Sequence, residues 1–155
     1  MSEGNMSTKV HLEEIDEENW RVELKVSKEQ ERYVADKTLL MARAYAYRNA
    51  RSQAKLIYVD KEPVGMLLYY DRDETVAYDF SQIFVDERYQ GKGYGSAAAK
   101  LALELMQSDG KYDSVILCYI DGNSAARDMY EKLGFVHTGE VDEDEIIMRK
   151  KLRIL

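Results

Sequence analysis

The sequence predicts a mixed α/β sheet, and three observations carry that prediction. Residues 54–71 read as a hairpin, "AKLIYVD" turning through "KEP" into "VGMLLYYD". The second half alternates strand-like and helix-like runs: "TVAYDFSQIFV" (75–85) precedes a helix at about 93–107, and "SVILCYI" (114–120) precedes another that opens at Asn123. That last segment, "DGNSAARDMYEKLGF" (121–135), carries both start and stop signals. Asp121 and Gly122 make a turn, Asn123 caps, and Ala126, Met129, Tyr130 and Leu133 form one apolar stripe. Gly134 then takes the left-handed C′ position, and Phe135 folds back over the last turn.

The remaining elements follow in chain order. Residues 9–15, "KVHLEEI", read as a first strand. In residues 16–26, Trp20, Val22, Leu24 and Val26 alternate as in a strand. Against that, Asp16 is a fair cap, acidic residues fill the first turn, and Ile15 with Trp20 is spaced for a hydrophobic staple, so a helix is expected. Residues 32–49 lack glycine and proline and are rich in helix formers, which predicts a second helix. The run 114–120 is continuously apolar, as a central strand is, and "EIIMRKKL" (145–152) closes the sheet. The "DEDE" run at 142–145 reads as a solvated turn.

At 155 residues the chain suits one domain, burying roughly 70% of its unfolded surface. No apolar run reaches the roughly 20 residues a membrane helix needs, and "MSEGNMSTKV" lacks the features of a secretion signal, so a cytoplasmic address is expected. One cysteine excludes an internal disulfide, and two histidines give no metal cluster. The net charge of −7 repels phosphate backbones, which argues against nucleic-acid partners and favours cationic small molecules. Cys118 ends an apolar strand and reads as packing rather than a nucleophile; His137 has no partner visible in the sequence.

The stretch most suggestive of chemistry is "QGKGYGS", Gln90 to Ser96, between a strand and a helix. The first four amides of a helix have no intrahelical acceptor and sit at the positive end of its dipole, which suits a phosphate. Gly91, Gly93 and Gly95 remove side chains that would hold an oxygen away, and Lys92 and Ser96 offer a charge and a hydroxyl. A P-loop would need Lys-Ser/Thr after the last glycine, and a dinucleotide fold would need Gly-x-Gly-x-x-Gly in its first βα unit. Neither is present. In the helix that follows, Ser96, Lys100 and Glu104 share a polar face, leaving Ala97, Ala98, Leu101 and Leu105 for packing.

"QGKGYG" resembles the Arg/Gln-x-x-Gly-x-Gly/Ala signature of the GCN5-related N-acetyltransferases (GNAT), and Asn123, Ala126, Tyr130, Gly134 and Phe135 match a second pattern of that family downstream. The N-terminal "EENW" and "LKVSKEQERYVA" (24–35) are similar to bacterial spermine/spermidine (diamine) acetyltransferases. The resemblance covers residues 8–153 as a single domain and leaves 1–7 as a flexible start. It implies a mostly antiparallel central sheet flanked by helices, acetyl-coenzyme A as cofactor, and a homodimer as one oligomeric state. It further implies that main-chain groups of Phe84 and Val85 pair with the pantetheine arm. By the same resemblance, amides from Gln90 through Tyr94 to Ser96 hold the pyrophosphate, Asn123 hydrogen-bonds the cofactor, Tyr130 lies near the thioester sulfur, and Lys132 approaches the adenosine end.

Acetyl transfer needs a neutral amine, a polarised carbonyl and a protonated leaving thiol. An N–H near Val85 suits the carbonyl. A phenol with a pKa of about 10 suits a thiol of about 8.5, which makes Tyr130 the candidate acid; alternatively it is one more member of the apolar stripe. Asp79 reads as a base, a cation anchor or a solvated strand residue, on the face it shares with Ser81 and opposite Phe80, Gln82 and Phe84. For the acceptor, carboxylates and aromatics at Asp16, Glu17, Glu18, Glu29, Gln30 and Tyr33 suit a diamine, although acids at a helix start equally serve as caps. Spermidine or spermine is the first acceptor expected. An aminoglycoside-like antibiotic, an amino acid or a protein N-terminus is the alternative, and a non-catalytic coenzyme A module is another.

Overall fold

The computed structural model describes residues 9–152, so the expected domain limits at 8 and 153 and the flexible start at 1–7 lie outside the described residues. The strands are β1 (Val10–Glu14), β2 (Gln53–Val59), β3 (Glu62–Arg72), β4 (Ala77–Val85), β5 (Ser114–Ile120), β6 (Val136–Asp142) and β7 (Glu145–Lys151). The helices are α1 (Lys37–Ala46), α2 (Tyr94–Asp109) and α3 (Ser124–Lys132). All the strands lie in one sheet, ordered β1-β2-β3-β4-β5-β7-β6, with every neighbouring pair antiparallel except β4–β5. The mostly antiparallel mixed sheet is therefore as expected.

Two cores cover the two faces. On one, Leu67, Tyr69, Tyr78, Phe80 and Ile83 pack against Ala98, Ala102 and Met106 of α2, Tyr130 of α3 and Leu133, its C-cap. On the other, Leu56, Met66, Leu68, Tyr70 and Phe84 pack against Leu40 of α1 and Leu24. Strand alternation assigns the side chains of β3 to these faces in turn. In β4 the alternation breaks. Leu68 pairs with Gln82 and Tyr69 with Phe80, so Ser81 is the extra residue of a β-bulge. A bulge bends its strand and re-aims the side chains beyond it. Phe80 therefore stays in the α2/α3 core, whereas Gln82 and Phe84 turn to the α1 face with Asp79 and Ser81. This corrects the expected grouping of Phe80, Gln82 and Phe84.

Three other expectations are corrected. Residues 16–26 are not a helix. Asp16 does cap, its Oδ1 accepting from the amides of Glu18 and Asn19, but only one turn forms, and Trp20 is left 44% exposed. Val22, Leu24 and Val26 then run without regular structure, with Leu24 buried in the α1 core and its neighbours packed against it. The helix expected over 32–49 starts only at Lys37, where Asp36 caps by accepting from Leu39 N–H at 2.9 Å. On α2 the packing face is Ala98, Ala99, Ala102, Leu103 and Met106, and Leu105 is exposed. Beside β7, β6 forms the edge of the sheet; none of its side chains is buried, so no hydrophobic period marks it.

Candidate active site

The parallel pair β4–β5 is joined only at Tyr78–Val115 and Asp79–Ile116. Beyond that point the bend at Ser81 carries β4 away, and the two strands splay into a cleft. The cleft opens a cavity of about 770 Å³ that crosses the sheet from the mouth of α2 to the α1 face. On the open edge of β4 the main chain is exposed in alternation. Asp86 N–H donates to Val64 O at 2.7 Å, so residues 64 and 86, and two places back 66 and 84, are the hydrogen-bonded pairs of the β3–β4 ladder. Phe84 thus spends its main-chain groups on β3, and those of Ile83 and Val85 point into the cleft. Of the two residues expected to pair with pantetheine, Val85 is the one whose main-chain groups lie on the open edge. Its carbonyl accepts from Gln90 Nε2 at 3.0 Å.

The helix α2 begins at the same end of the cleft. Gly93, its N-cap, has φ of 85°, no side chain caps the helix, and no acid lies in its first turn. Ala97 N–H bonds to Gly93 O, which leaves the amides of Tyr94, Gly95 and Ser96 without helical acceptors. Gly91 and Gly93 both hold left-handed φ, and a Cβ built on either would meet nothing within 4 Å. That empty space above bare amides fits a diphosphate. Gln90, Gly91, Gly93, Tyr94 and Gly95 line the cavity, whereas the side chains of Lys92, Ser96 and Lys132 do not.

Two groups expected on the cofactor side meet across this end. Asn123 is buried, and its Oδ1 caps α3 by accepting from Ala126 N–H at 3.3 Å, while its Nδ2 makes no hydrogen bond to the described residues. Tyr130 is only 6% exposed and packs edge-on against Phe135, with ring centroids 5.8 Å apart. Its hydroxyl makes no hydrogen bond to the described residues, yet no fully enclosed side-chain polar atom lacks a partner, so the hydroxyl opens on the cavity. Burial raises its pKa well above that of a free phenol and keeps it protonated.

The α1 face holds the charged groups. Asp79 is 8% exposed, so it is not a solvated strand residue. Its Oδ2 accepts from Arg72 Nε at 2.9 Å. Burial raises the Asp79 pKa, and Arg72 and Arg43 oppose that rise without cancelling it. Cys118 is exposed on the cavity wall rather than packed in the core, which corrects its expected role. Desolvation there, with the Glu145 and Asp79 carboxylates, pushes its thiol up to about 12 and disfavours the thiolate. Gln30 and Tyr33 also line the cavity; Glu17 and Glu29 lie outside it. Sequence reasoning missed Arg43, Arg72, Ser81, Gln82 and Glu145, all of which line it. Only the strand register could have indicated Arg72 and Glu145, and the bulge that aims Ser81 and Gln82 left no mark. His137 does have a partner, the Tyr119 hydroxyl at 2.7 Å.

A sheet split between two parallel strands, with an uncapped helix mouth at one end of the split, defines a cleft protein suited to a diphosphate-bearing ligand. Residues 12–135 match the model of the acetyltransferase (GNAT) family, and the chain belongs to that family. It is an N-acetyltransferase of that family, with acetyl-coenzyme A as its cofactor, and the helix mouth and the open β4 edge fit that group. A curated relative, the spermine/spermidine N(1)-acetyltransferase of Bacillus subtilis (strain 168), is 31% identical over 103 residues, covering 62% of this chain and 68% of the relative. The solved spermidine N-acetyltransferase of Vibrio cholerae, in complex with CoA and spermine, superposes with a TM-score of 0.71 at 18% identity, covering 91% of this chain and 93% of the other. The ribosomal-protein-S18-alanine N-acetyltransferase of Escherichia coli superposes equally well, with a TM-score of 0.71 at 14% identity, covering 94% and 96%. The shared fold therefore does not select the acceptor. No helix among the described residues is long and apolar enough to cross a membrane.

Proposed function

We propose that the protein transfers an acetyl group to a primary amine of a small cationic acceptor, with a polyamine such as spermidine or spermine as the acceptor class. The observation that carries the transferase reading is the meeting, on one cavity, of the bare α2 amides, the open Val85 edge and the Tyr130 hydroxyl. The polyamine class is supported by the curated relatives and by the two carboxylates in the cavity, Asp79 and Glu145.

The amides of Tyr94, Gly95 and Ser96 hold the diphosphate, aided by the helix dipole. Asn123 Nδ2 and the Val85 main chain orient the arm that leads to the reacting carbon, and the Val85 N–H donates to the carbonyl oxygen. Acetyl-coenzyme A, when bound, supplies the thioester. Tyr130 holds a proton at its hydroxyl oxygen for the departing sulfur. Burial raises this phenol, but it disfavours the thiolate too, so the gap between the two groups stays modest. On the α1 side, Asp79 serves as the anchor for a distal ammonium of the acceptor and, being bonded to Arg72, not as the base. The attacking nitrogen enters as the neutral amine and gives its proton to water as the C–N bond forms and the C–S bond breaks.

A second reading is favoured by one observation. Arg32, Arg43 and Arg72 line the same cavity, and Arg43 has no carboxylate partner among the described residues. That guanidinium suits the carboxylate of an amino acid or of a short peptide. The test is a panel of spermidine, spermine, an aminoglycoside, free amino acids and N-terminal peptides, read by thiol release and product mass. Spermidine or spermine is expected to gain one acetyl group. Acetylation confined to carboxylate-bearing amines would replace the polyamine reading with the second, and no thiol release from any amine would overturn both.

A further inference from the structure

We infer that Gln82 is a positioning residue that holds the acceptor wall of the cavity shut by clamping the segment 26–34 to the β4 bulge. The segment has no regular structure, yet it forms one wall of the cavity through Val26, Gln30, Tyr33 and Val34. It is tied at both ends. At the start, Lys25 N–H donates to the buried Asp86 carboxylate at 2.8 Å, and Lys25 O accepts from Glu87 N–H at 3.0 Å. At the far end, Gln82 Oε1 accepts from Ala35 N–H at 3.0 Å and its Nε2 donates to Ala35 O at 2.8 Å. One side-chain amide thereby satisfies both main-chain groups of Ala35, as a neighbouring strand would. Between the ties, the Tyr33 hydroxyl reaches across to the turn at Gly122, where a Cβ would lie 3.3 Å from it.

The bulge explains why Gln82 can do this. The extra residue at Ser81 turns Gln82 from the α2/α3 face to the α1 face, and Ser81 itself accepts from Arg43 of α1 at 2.9 Å. The bend that opens the cleft thus also hooks on both parts of the acceptor wall. A residue of the wrong polarity at 82 would leave Ala35 with two unpaired main-chain groups and release the segment at one end. Coenzyme A contacts at α2 would be untouched.

The test uses the full chain with Gln82→Met, which keeps the side chain's length and removes both bonds, and Gln82→Glu, which keeps the bond from Ala35 N–H and sets an acceptor against Ala35 O. The segment carries two exposed tryptic sites, Lys28 and Arg32, that report its opening without any substrate. Loss of two hydrogen bonds is expected to raise cleavage there by about tenfold or more. The kinetic arm rests on the acetyltransferase reading. With spermidine as probe, the KM for the amine is expected to rise about tenfold, while that for acetyl-coenzyme A stays within about twofold. Unchanged cleavage in both variants overturns the clamp. Faster cleavage with both KM values raised alike, or with neither raised, overturns the acceptor-side role. If the wild type acetylates no amine, the functional reading fails, and cleavage alone decides whether Gln82 holds the segment.

Discussion

Gly93 and Gly110 stand at the two ends of α2 in the same backbone state, with φ of 85° and 77°, and a Cβ on either would meet nothing within 4 Å. Replacing each by alanine separates the conformational role of these glycines from a binding role. A left-handed alanine costs about 1–2 kcal/mol in either place, so Gly93→Ala and Gly110→Ala should lower thermal stability by similar amounts. Only the first adds its methyl group at the helix mouth, next to the free amides of Tyr94, Gly95 and Ser96 in the chain, in the open space a phosphate would take. Loss of one charge-assisted hydrogen bond to a phosphate oxygen is worth about 1.5–3 kcal/mol, which is roughly a 10- to 100-fold rise in the dissociation constant. Calorimetric titration of both variants with coenzyme A reads this directly. If Gly93→Ala binds like the wild type, or if Gly110→Ala loses as much affinity, the helix mouth is not the diphosphate seat.

Tyr130→Phe should lower kcat by about 10²- to 10⁴-fold with little change in the KM for acetyl-coenzyme A, because the ring still packs on Phe135 while the proton is gone; a variant with wild-type turnover removes Tyr130 from the chemistry. Cys118, pushed up to about 12, should react with iodoacetamide at pH 8 about 10³-fold more slowly than a free thiol, whose pKa is about 8.5. Stoichiometric labelling within minutes would refute its surroundings. Asp109 is held well below the usual carboxylate range by hydrogen bonds from Arg51 and from the Tyr78 hydroxyl. Its folded pKa is depressed, so its stabilisation is present above the unfolded value of about 3.9 and is lost as pH falls through the folded one. Asp109→Asn should therefore melt lower than the wild type at neutral pH, with the difference narrowing in acid. A gap that is constant with pH would contradict the ion pair.

Much of the fold was legible because its signals are local. The Asn123 cap, the apolar stripe and the Gly134–Phe135 stop produced α3 as read, with Phe135 N–H returning to Tyr130 O at 3.0 Å. The first turn after Asp16 misled for the opposite reason. Its capping signals are real, but the alternation of Val22, Leu24 and Val26 reports an extended path over the α1 core, and tertiary burial won over local propensity. The edge strand β6 has no covered face and so no hydrophobic period to read. In the site, the glycine-rich mouth and Tyr130 were visible as motifs. The clamp at Gln82, the pair Asp79–Arg72 and the exclusion of Glu17 and Glu29 depend on the bulge at Ser81 and on chain routing, which no residue type marks.

The most direct measurement is calorimetric titration of the wild-type protein with coenzyme A and, separately, with pantetheine, which lacks the diphosphate. Binding of one coenzyme A per chain, with pantetheine at least about 100-fold weaker, is the predicted result. No heat with coenzyme A, or equal affinity for the two, would contradict the claim that bare amides at the mouth of α2 grip the diphosphate.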